Sequence, residues 1–412
     1  MRIMKAAMLT LLGLAAVALG LAALSRDAQA QISGNVVKLG ILNDMSGPYA
    51  DIAGPKSVAA ARMAVADFGG TVLGKKIEII SADHQNQPDV GTGIARRWID
   101  QEGVDTIVDV PTSSVALAVQ TVMKEKNRVF LMSGPASSDL TGKACSPVGV
   151  AWTYDTYALA HGTGGALVKQ GGDTWFFITA DYAFGHALER DTADAVIAAG
   201  GKVVGNVNAP FPSSDFSSFL LQAQASKAKV IGLANAGADT INSIKQAAEF
   251  GIVAGGQRLA GLLVFLTDVH SLGLQTAQGL VITTAYYWDM NDETRAFAKR
   301  FMKEPESKGV PPTFTVAGVY TEIMHYLKAI QAAGTDDATA VMAKMREMPI
   351  NDFMVKNGTL RIDGRVMREM YLAQVKSPAE SKYPFDYYKI LQTIPRDQAY
   401  RPLKDGGCYL VK

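Results

Sequence analysis

The sequence predicts an α/β protein of two Rossmann-like lobes, each built on a parallel sheet, joined by a three-strand hinge. Three observations carry this prediction. From Val36 onward, short β-rich runs alternate with amphipathic stretches of helical length, the pattern of parallel strands covered by helices on both faces. The alternation breaks at a loop around Cys145 and starts afresh after it. Late in the chain, the extended segments Gly279 to Tyr287 and Gly358 to Val375 can carry the chain between the two units, which with the passage near Cys145 makes three crossings.

The first strand is Val36 to Leu42. Val58, Ala61, Val65 and Phe68 then recur at helical spacing, and Gly69-Gly70 stops that helix. Lys76 to Ser81, Val104 to Val110 and Arg128 to Ser133 are the next strands, with helices centred on Ile94 to Ile99 and Val115 to Met123 between them. The second unit reads as helix Thr156 to Lys169, strand Trp175 to Thr179, helix Gly185 to Ala199 and strand Lys202 to Val207. Helix Phe216 to Ala225, strand Val230 to Ala234 and helix Thr240 to Phe250 follow. The division expected is a leader at 1–30, an N-terminal lobe of 31–148 plus about 280–360, and a C-terminal lobe of 149–279 plus about 361–412.

The leader opens with Arg2 and Lys5, runs apolar from Ala6 to Leu24 and ends in Ala28-Gln29-Ala30. That order predicts an export signal cleaved after Ala30 and a protein free in a periplasm. An uncleaved anchor is the alternative, because nineteen residues approach the length of a span. No Cys stands near the cleavage site to carry a lipid. A net charge of +1 and the lack of any Lys/Arg block of five set nucleic-acid binding aside. Export also argues against an enzyme that consumes cytosolic ATP or NAD. Cys145 and Cys408 are expected to be bonded, since disulfides persist in such a compartment. Two separate buried thiols are the alternative.

Open parallel sheets bind ligands beyond the carboxyl ends of their strands, so the loops after strands are the ones to read. Pro111-Thr112-Ser113-Ser114 follows one strand and opens a helix; alone it is explained by helix capping. A second hydroxyl-rich run, Ser133-Gly134-Pro135-Ala136-Ser137-Ser138, follows a strand of the same unit, and the two together suit a carboxylate held by neutral donors. Tyr49, Trp152, Tyr154, Tyr182 and Phe184 stand at other strand ends, where they would form an apolar wall. Ala234-Asn235-Ala236-Gly237-Ala238-Asp239 supplies small residues near a strand end, leaving room for a ligand at Asn235 and Ala236; Asp239 reads as a helix cap. The five histidines show no zinc-type spacing, and neither a G-x-S-x-G elbow nor a Walker loop occurs. Gly91-Thr92-Gly93 begins a dinucleotide-like pattern, but Arg96 stands at the third glycine position.

The chain resembles the leucine/isoleucine/valine-binding type of periplasmic solute-binding protein that serves ABC importers. The likeness rests on Gly40-Ile41-Leu42-Asn43-Asp44-Met45-Ser46-Gly47-Pro48-Tyr49, on Pro111 to Ser114 and on Leu131 to Thr141. Asp181-Tyr182-Ala183-Phe184-Gly185 and Asp215-Phe216-Ser217-Ser218-Phe219 extend it into the second unit. The resemblance implies the type I periplasmic-binding-protein fold and a ligand carboxylate held at Ser113, Ser114, Ala136 and Ser137, with Thr112 a weaker match. Tyr182 matches in place, whereas Ala234 to Gly237 lacks the aromatic and Gly-rich pattern of leucine binders. An ammonium in a closed cleft needs a buried anion, for which Asp155, Asp181 and Asp268 are the candidates. Without one of them, a benzoate- or cinnamate-like acid is expected.

The function expected is therefore a monomeric, cofactor-free binding protein that closes on a small organic carboxylate and delivers it to an ABC permease in the inner membrane. A ligand-presenting sensor module is the alternative. A secreted hydrolase is the other, and no nucleophile with a positioned base is recognisable for it.

Overall fold

The computed structural model describes residues 32–412, so the leader and its cleavage site lie outside the described residues. Among the described residues, no helix is long and apolar enough to cross a membrane.

The first sheet has the order β2-β3-β1-β4-β5-β6, built from β1 (Val36–Asn43), β2 (Thr71–Val72), β3 (Lys75–Asp83), β4 (Thr106–Asp109), β5 (Val129–Met132) and β6 (Gly149–Ala151). All its pairings are parallel except that of β2 with β3. Crossover helices α1 (Gly54–Phe68), α2 (Pro88–Gln101) and α3 (Ser113–Glu125) connect the strands. β4 and β5 are buried throughout, which is why they appear in the sequence as continuous apolar runs rather than alternating ones.

The chain then enters the second lobe through α4 (Thr156–Leu159) and α5 (Gly165–Lys169). These are not the unbroken helix expected over Thr156 to Lys169: a π-helical turn, Ala160–Gly164, separates them. A Cβ on Gly162 would stand 2.2 Å from Thr283 Oγ1, so the glycine-rich turn is what lets the backbone pass this close to a neighbouring strand. The second sheet, β10-β9-β7-β8, comprises β7 (Thr174–Ala180), β8 (Lys202–Ala209), β9 (Val230–Ala234) and β10 (Arg258–Gly261), all parallel. Its helices are α6 (Ala183–Ala198), α7 (Ser217–Ala225), α8 (Ala238–Glu249), α9 (Leu266–Leu272) and α10 (Leu274–Ala277).

From β11 (Val281–Thr284) the chain returns to the first sheet with α11 (Asp292–Phe301), α12 (Phe314–Ala333) and α13 (Ala338–Glu347). α12 packs on α1 and against β4 and β5, and Arg300 pairs with Asp67 of α1 at 2.6 Å. A short hairpin, β12 (Thr359–Leu360) with β13 (Val366–Met367), leads into β14 (Met370–Val375). β14 lies antiparallel between β11 and β15 (Tyr388–Ile394).

Two fully buried arginines tie these crossings together. Arg365 donates to the carbonyls of Ala151 and Tyr154 on the first crossing, the latter at 2.6 Å, while Arg368 donates to Ala285 on the second. Tyr400, stacked on the Arg365 guanidinium, donates to the Thr153 carbonyl at 3.1 Å. Cys145 and Cys408 are joined in a disulfide that holds the C-terminal segment against the first lobe.

Candidate functional site

In each sheet one strand has neighbours reached in opposite directions: β1 lies between β3 and β4, and β7 between β8 and β9. Such switch points open a crevice at the carboxyl ends of the strands. The two crevices face each other, and the loops leaving β1, β4, β5, β7 and β9 meet between the lobes. The lining of the small space there is Tyr49, Ile52, Pro111, Gly134, Ala136 and Tyr154 from the first side, with Tyr182, Phe184, Ala236 and Leu263 opposite. The space holds about 10 Å³, room for roughly one water molecule, so the lobes stand closed on one another.

The contacts across this seam are specific. The Tyr49 hydroxyl meets the Tyr182 hydroxyl, and Ala238 N–H donates to the Pro48 carbonyl at 3.3 Å. Phe211 stacks on both tyrosines, with centroids 5.4 Å from Tyr49 and 4.3 Å from Tyr182. Gly237 sits at φ 58°, where a Cβ would lie 2.6 Å from the Pro48 carbonyl oxygen; glycine is required there both for the turn and for the closeness of the lobes. Burial pushes the Tyr49 and Tyr182 hydroxyls far above the ordinary phenol range, so both are neutral donors.

The hydroxyl loops are joined to each other. Ser113 Oγ, almost fully buried, accepts from the N–H groups of Ala136 at 3.3 Å and Ser137 at 3.2 Å. Thr112 stands at the N-cap of α3 but makes no capping bond; its hydroxyl donates instead to Asn86 Oδ1. Ser137 caps the short turn that follows it, accepting from Asp139 N–H at 3.4 Å. Ser114 lies one residue further into α3 and is half-buried. Tyr154 donates to the Gly134 carbonyl at 2.8 Å, fixing the second loop from behind, and packs edge-on against Phe314.

Of the residues expected at the site, Tyr49, Ala136, Tyr154, Tyr182, Phe184 and Ala236 line the cleft. Thr112, Ser113 and Ser137 lie directly behind it in the bonded loops. The aspartates expected to meet an ammonium are engaged elsewhere. Asp155 caps α4 through Ala158 N–H at 2.8 Å and stands 3.7 Å from Arg365. Burial raises its carboxyl, and the nearby guanidinium offsets part of that. Asp268 reaches back to the N-cap of α9, accepting from Phe265 N–H at 2.8 Å, and Asp181 is exposed beside His186. Asn235 spends its amide inside the second lobe, on Ser243 at 2.8 Å and Thr240 at 2.7 Å.

Two residues not expected at the site stand out. Phe211 follows β8, so the strand-end rule would have found it had β8 been followed to Ala209. Asp239 is 1 % exposed; one carboxylate oxygen accepts from Ser213 N–H at 3.2 Å and the other has no partner. It lies near enough to Tyr49 and Tyr182 to raise both hydroxyls, and burial without a cation pushes its own pKa to about 7.

A family model described as periplasmic binding protein matches residues 36–382. The chain belongs to the periplasmic binding protein family. A periplasmic binding protein from Burkholderia mallei is 50 % identical, with a TM-score of 0.90 over 92 % of this chain and 100 % of that one. A branched chain amino acid ABC transporter periplasmic ligand-binding protein from Burkholderia xenovorans LB400 is 40 % identical, with a TM-score of 0.80 over 91 % of this chain and 100 % of that one. Leu/Ile/Val-binding protein homolog 6 of Brucella melitensis is 26 % identical over 374 residues, 88 % of this chain and 92 % of its own length. The type I fold and the family expected from the sequence are both borne out, and the family is one of substrate-binding proteins.

Proposed function

We propose that this periplasmic binding protein is the substrate-binding component of an ABC uptake system and that its ligand is a small amino acid with an apolar side chain. The observation that carries this reading is the buried, unpartnered oxygen of Asp239, which lies close enough to Tyr49 and Tyr182 of the cleft lining to act on both hydroxyls. We place the ligand carboxylate at the hydroxyl loops, where the Ser113 and Ser137 hydroxyls offer neutral donors. The ammonium is placed at Asp239, which would complete an otherwise uncompensated carboxylate. The side chain would lie among Tyr49, Tyr154, Tyr182, Phe184 and Phe211. The two lobes would move as separate bodies about the crossings, with the C-terminal segment held to the first lobe by the Cys145–Cys408 disulfide, so affinity would draw on both. The Burkholderia xenovorans relative, named for branched-chain amino acids, supports the amino-acid reading.

The aromatic wall favours a second reading, an aromatic carboxylate without an ammonium, toward which a neutral Asp239 would donate a hydrogen bond. Titration calorimetry of wild type and Asp239→Asn with L-leucine, L-phenylalanine and 4-hydroxybenzoate separates them. The amino-acid reading requires L-leucine or L-phenylalanine to bind wild type and to lose most of its affinity in the variant. Binding of 4-hydroxybenzoate alone, retained in Asp239→Asn, would overturn it. Co-purification with an integral-membrane permease tests the transport role; capture of a sensor kinase instead would replace it.

A further inference from the structure

Beneath the hydroxyl loops lies a buried acidic centre that the ligand contacts do not use. Asp109, at the end of β4, is 0 % exposed, and its carboxylate gathers donors from three other elements. One oxygen accepts from Asn43 Nδ2 at 2.7 Å and Ser57 Oγ at 2.6 Å, the other from Ser133 Oγ at 3.0 Å, and the Gly134 N–H faces it as well. A Cβ on Gly134 would stand 2.4 Å from that second oxygen.

Each partner leads to the cleft. Asn43 Oδ1 accepts from the N–H groups of Asp44 and Gly54, both at 2.9 Å, pinning the two ends of the loop that carries Tyr49. Asp44 in turn accepts from Tyr49 N–H at 2.8 Å and from Asn86 Nδ2 at 2.9 Å, and Asn86 receives the Thr112 hydroxyl. Ser133 and Gly134 open the loop of Ala136 and Ser137. Between these loops the backbone is in an unusual state: Asp109 and Val110 both have left-handed φ, 77° and 56°, directly before Pro111. A β-branched residue there is a true outlier, and strain of this kind persists only where the surroundings over-determine it.

We propose that Asp109 is the positioning residue of the carboxylate site, setting the loops that begin at Asn43, Pro111 and Ser133 in register through one buried carboxylate. The inference rests on the ligand-carboxylate placement given above. The charge belongs on Asp109 because four neutral donors converge on it, whereas Glu322 of α12, 0 % exposed and facing the same centre, has no partner for either oxygen. Burial and the neighbouring Asp109 push Glu322 well above the carboxylate range, so it is the neutral member of the pair.

The hydrogen-bond directions define the test. In Asp109→Asn, Nδ2 must face a donor in either orientation, Asn43 Nδ2 on one side or the Gly134 N–H on the other, and Asn43 cannot flip without abandoning Asp44 and Gly54. Adding Asn43→Asp restores every partner: Asn at 109 donates to Asp at 43 and to Ser57 Oγ, while its Oδ1 keeps Ser133. L-leucine, L-phenylalanine and 4-hydroxybenzoate are titrated into each protein well below its unfolding midpoint. Asp109→Asn is expected to weaken whichever compound binds wild type about 10–100-fold, and the double exchange to recover most of that. Glu322→Gln is expected to leave affinity within about twofold. If Asp109→Asn does not fold, Ser133→Ala supplies the reading, with an expected loss of about 5–10-fold. Unchanged affinity in the folded single variants, no recovery in the double exchange, or a large loss in Glu322→Gln overturns the proposal. If none of the three compounds binds wild type, the ligand reading fails separately. Crystal structures without ligand then decide: the Ser113 Oγ contacts to Ala136 and Ser137 should break in Asp109→Asn and return in the double exchange, and their persistence in Asp109→Asn overturns the positioning role.

Discussion

Replacing Asp239 with Asn isolates the cost of a single buried charge. Burial raises this carboxyl from 3.8 to about 7, so the closed protein holds a proton that an unfolded chain releases between those values. Stability from this group is therefore fully present below about pH 4 and is lost as pH rises to about 7. At about 1.4 kcal/mol per pH unit, the loss amounts to ~4 kcal/mol. Asn does not titrate and can keep the Ser213 N–H bond through Oδ1. The difference in unfolding free energy, variant minus wild type, should start near zero at acid pH and climb toward ~4 kcal/mol in favour of the variant at pH 8. Urea unfolding of both proteins at intervals from acid to pH 8 measures it, and the other buried carboxyls cancel in the subtraction. A difference that stays flat with pH would refute the reasoning, because it would mean that Asp239 is hydrated in the unliganded protein. An ammonium-bearing ligand should reverse the sign of the benefit, stabilising wild type more than Asp239→Asn. The free protein would then carry a destabilising group whose compensation is supplied by the ligand itself.

Ser113→Ala and Ser137→Ala should each weaken a bound carboxylate by about 1–3 kcal/mol, read by calorimetry, because each removes a donor from a desolvated anion. Gly237→Ala places a Cβ against the Pro48 carbonyl at a positive φ; the strain of about 1–2 kcal/mol should cost roughly 10-fold in ligand affinity, and small-angle scattering should show a more open molecule. Replacing Cys145 and Cys408 together by Ser removes a cross-link across 263 residues and should cost about 5 kcal/mol in the chain-entropy description, seen as a lower urea midpoint.

The sequence made the lobes legible because most strands in them are buried apolar runs bounded by turn residues; the strand expected at Val230 to Ala234 is found over those residues. It did not reveal α12, the longest helix among the described residues. Residues 314–333 are buried on nearly every face, so the contrast that marks an amphipathic helix is missing. The hydroxyl loops could be read from strand ends alone. The ammonium partner proposed here could not, because Asp155, Asp239 and Asp268 all stand at or near helix starts, where capping explains any aspartate equally well. Only the structure distinguishes them: Asp155 and Asp268 each bond an N–H within their own capping turn, whereas Asp239 reaches Ser213 in another loop and keeps one oxygen unpartnered.

This difference also locates selectivity. The first-lobe loops present hydroxyl and N–H donors of no net charge, which suit any small carboxylate and discriminate weakly among them. On the function proposed above, what the rest of the ligand must be is decided across the seam. Asn235 is bonded inward, Ala236 and Gly237 present no functional side chain, and Asp239, beside the cleft tyrosines, keeps one oxygen unpartnered. Tyr182, stacked on Phe211 at 4.3 Å, lies beside Asp239, and burial with no cation to offset it raises that carboxyl. A selectivity change should therefore follow from substitutions at Asp239 or Phe211 more readily than from any change in the hydroxyl loops. Phe211→Leu in particular should open space beside Asp239, admit water and narrow the preference between charged and neutral ligands, measured as a smaller ratio of affinities for L-leucine and its deaminated analogue. An unchanged ratio would place the selectivity outside the aromatic stack.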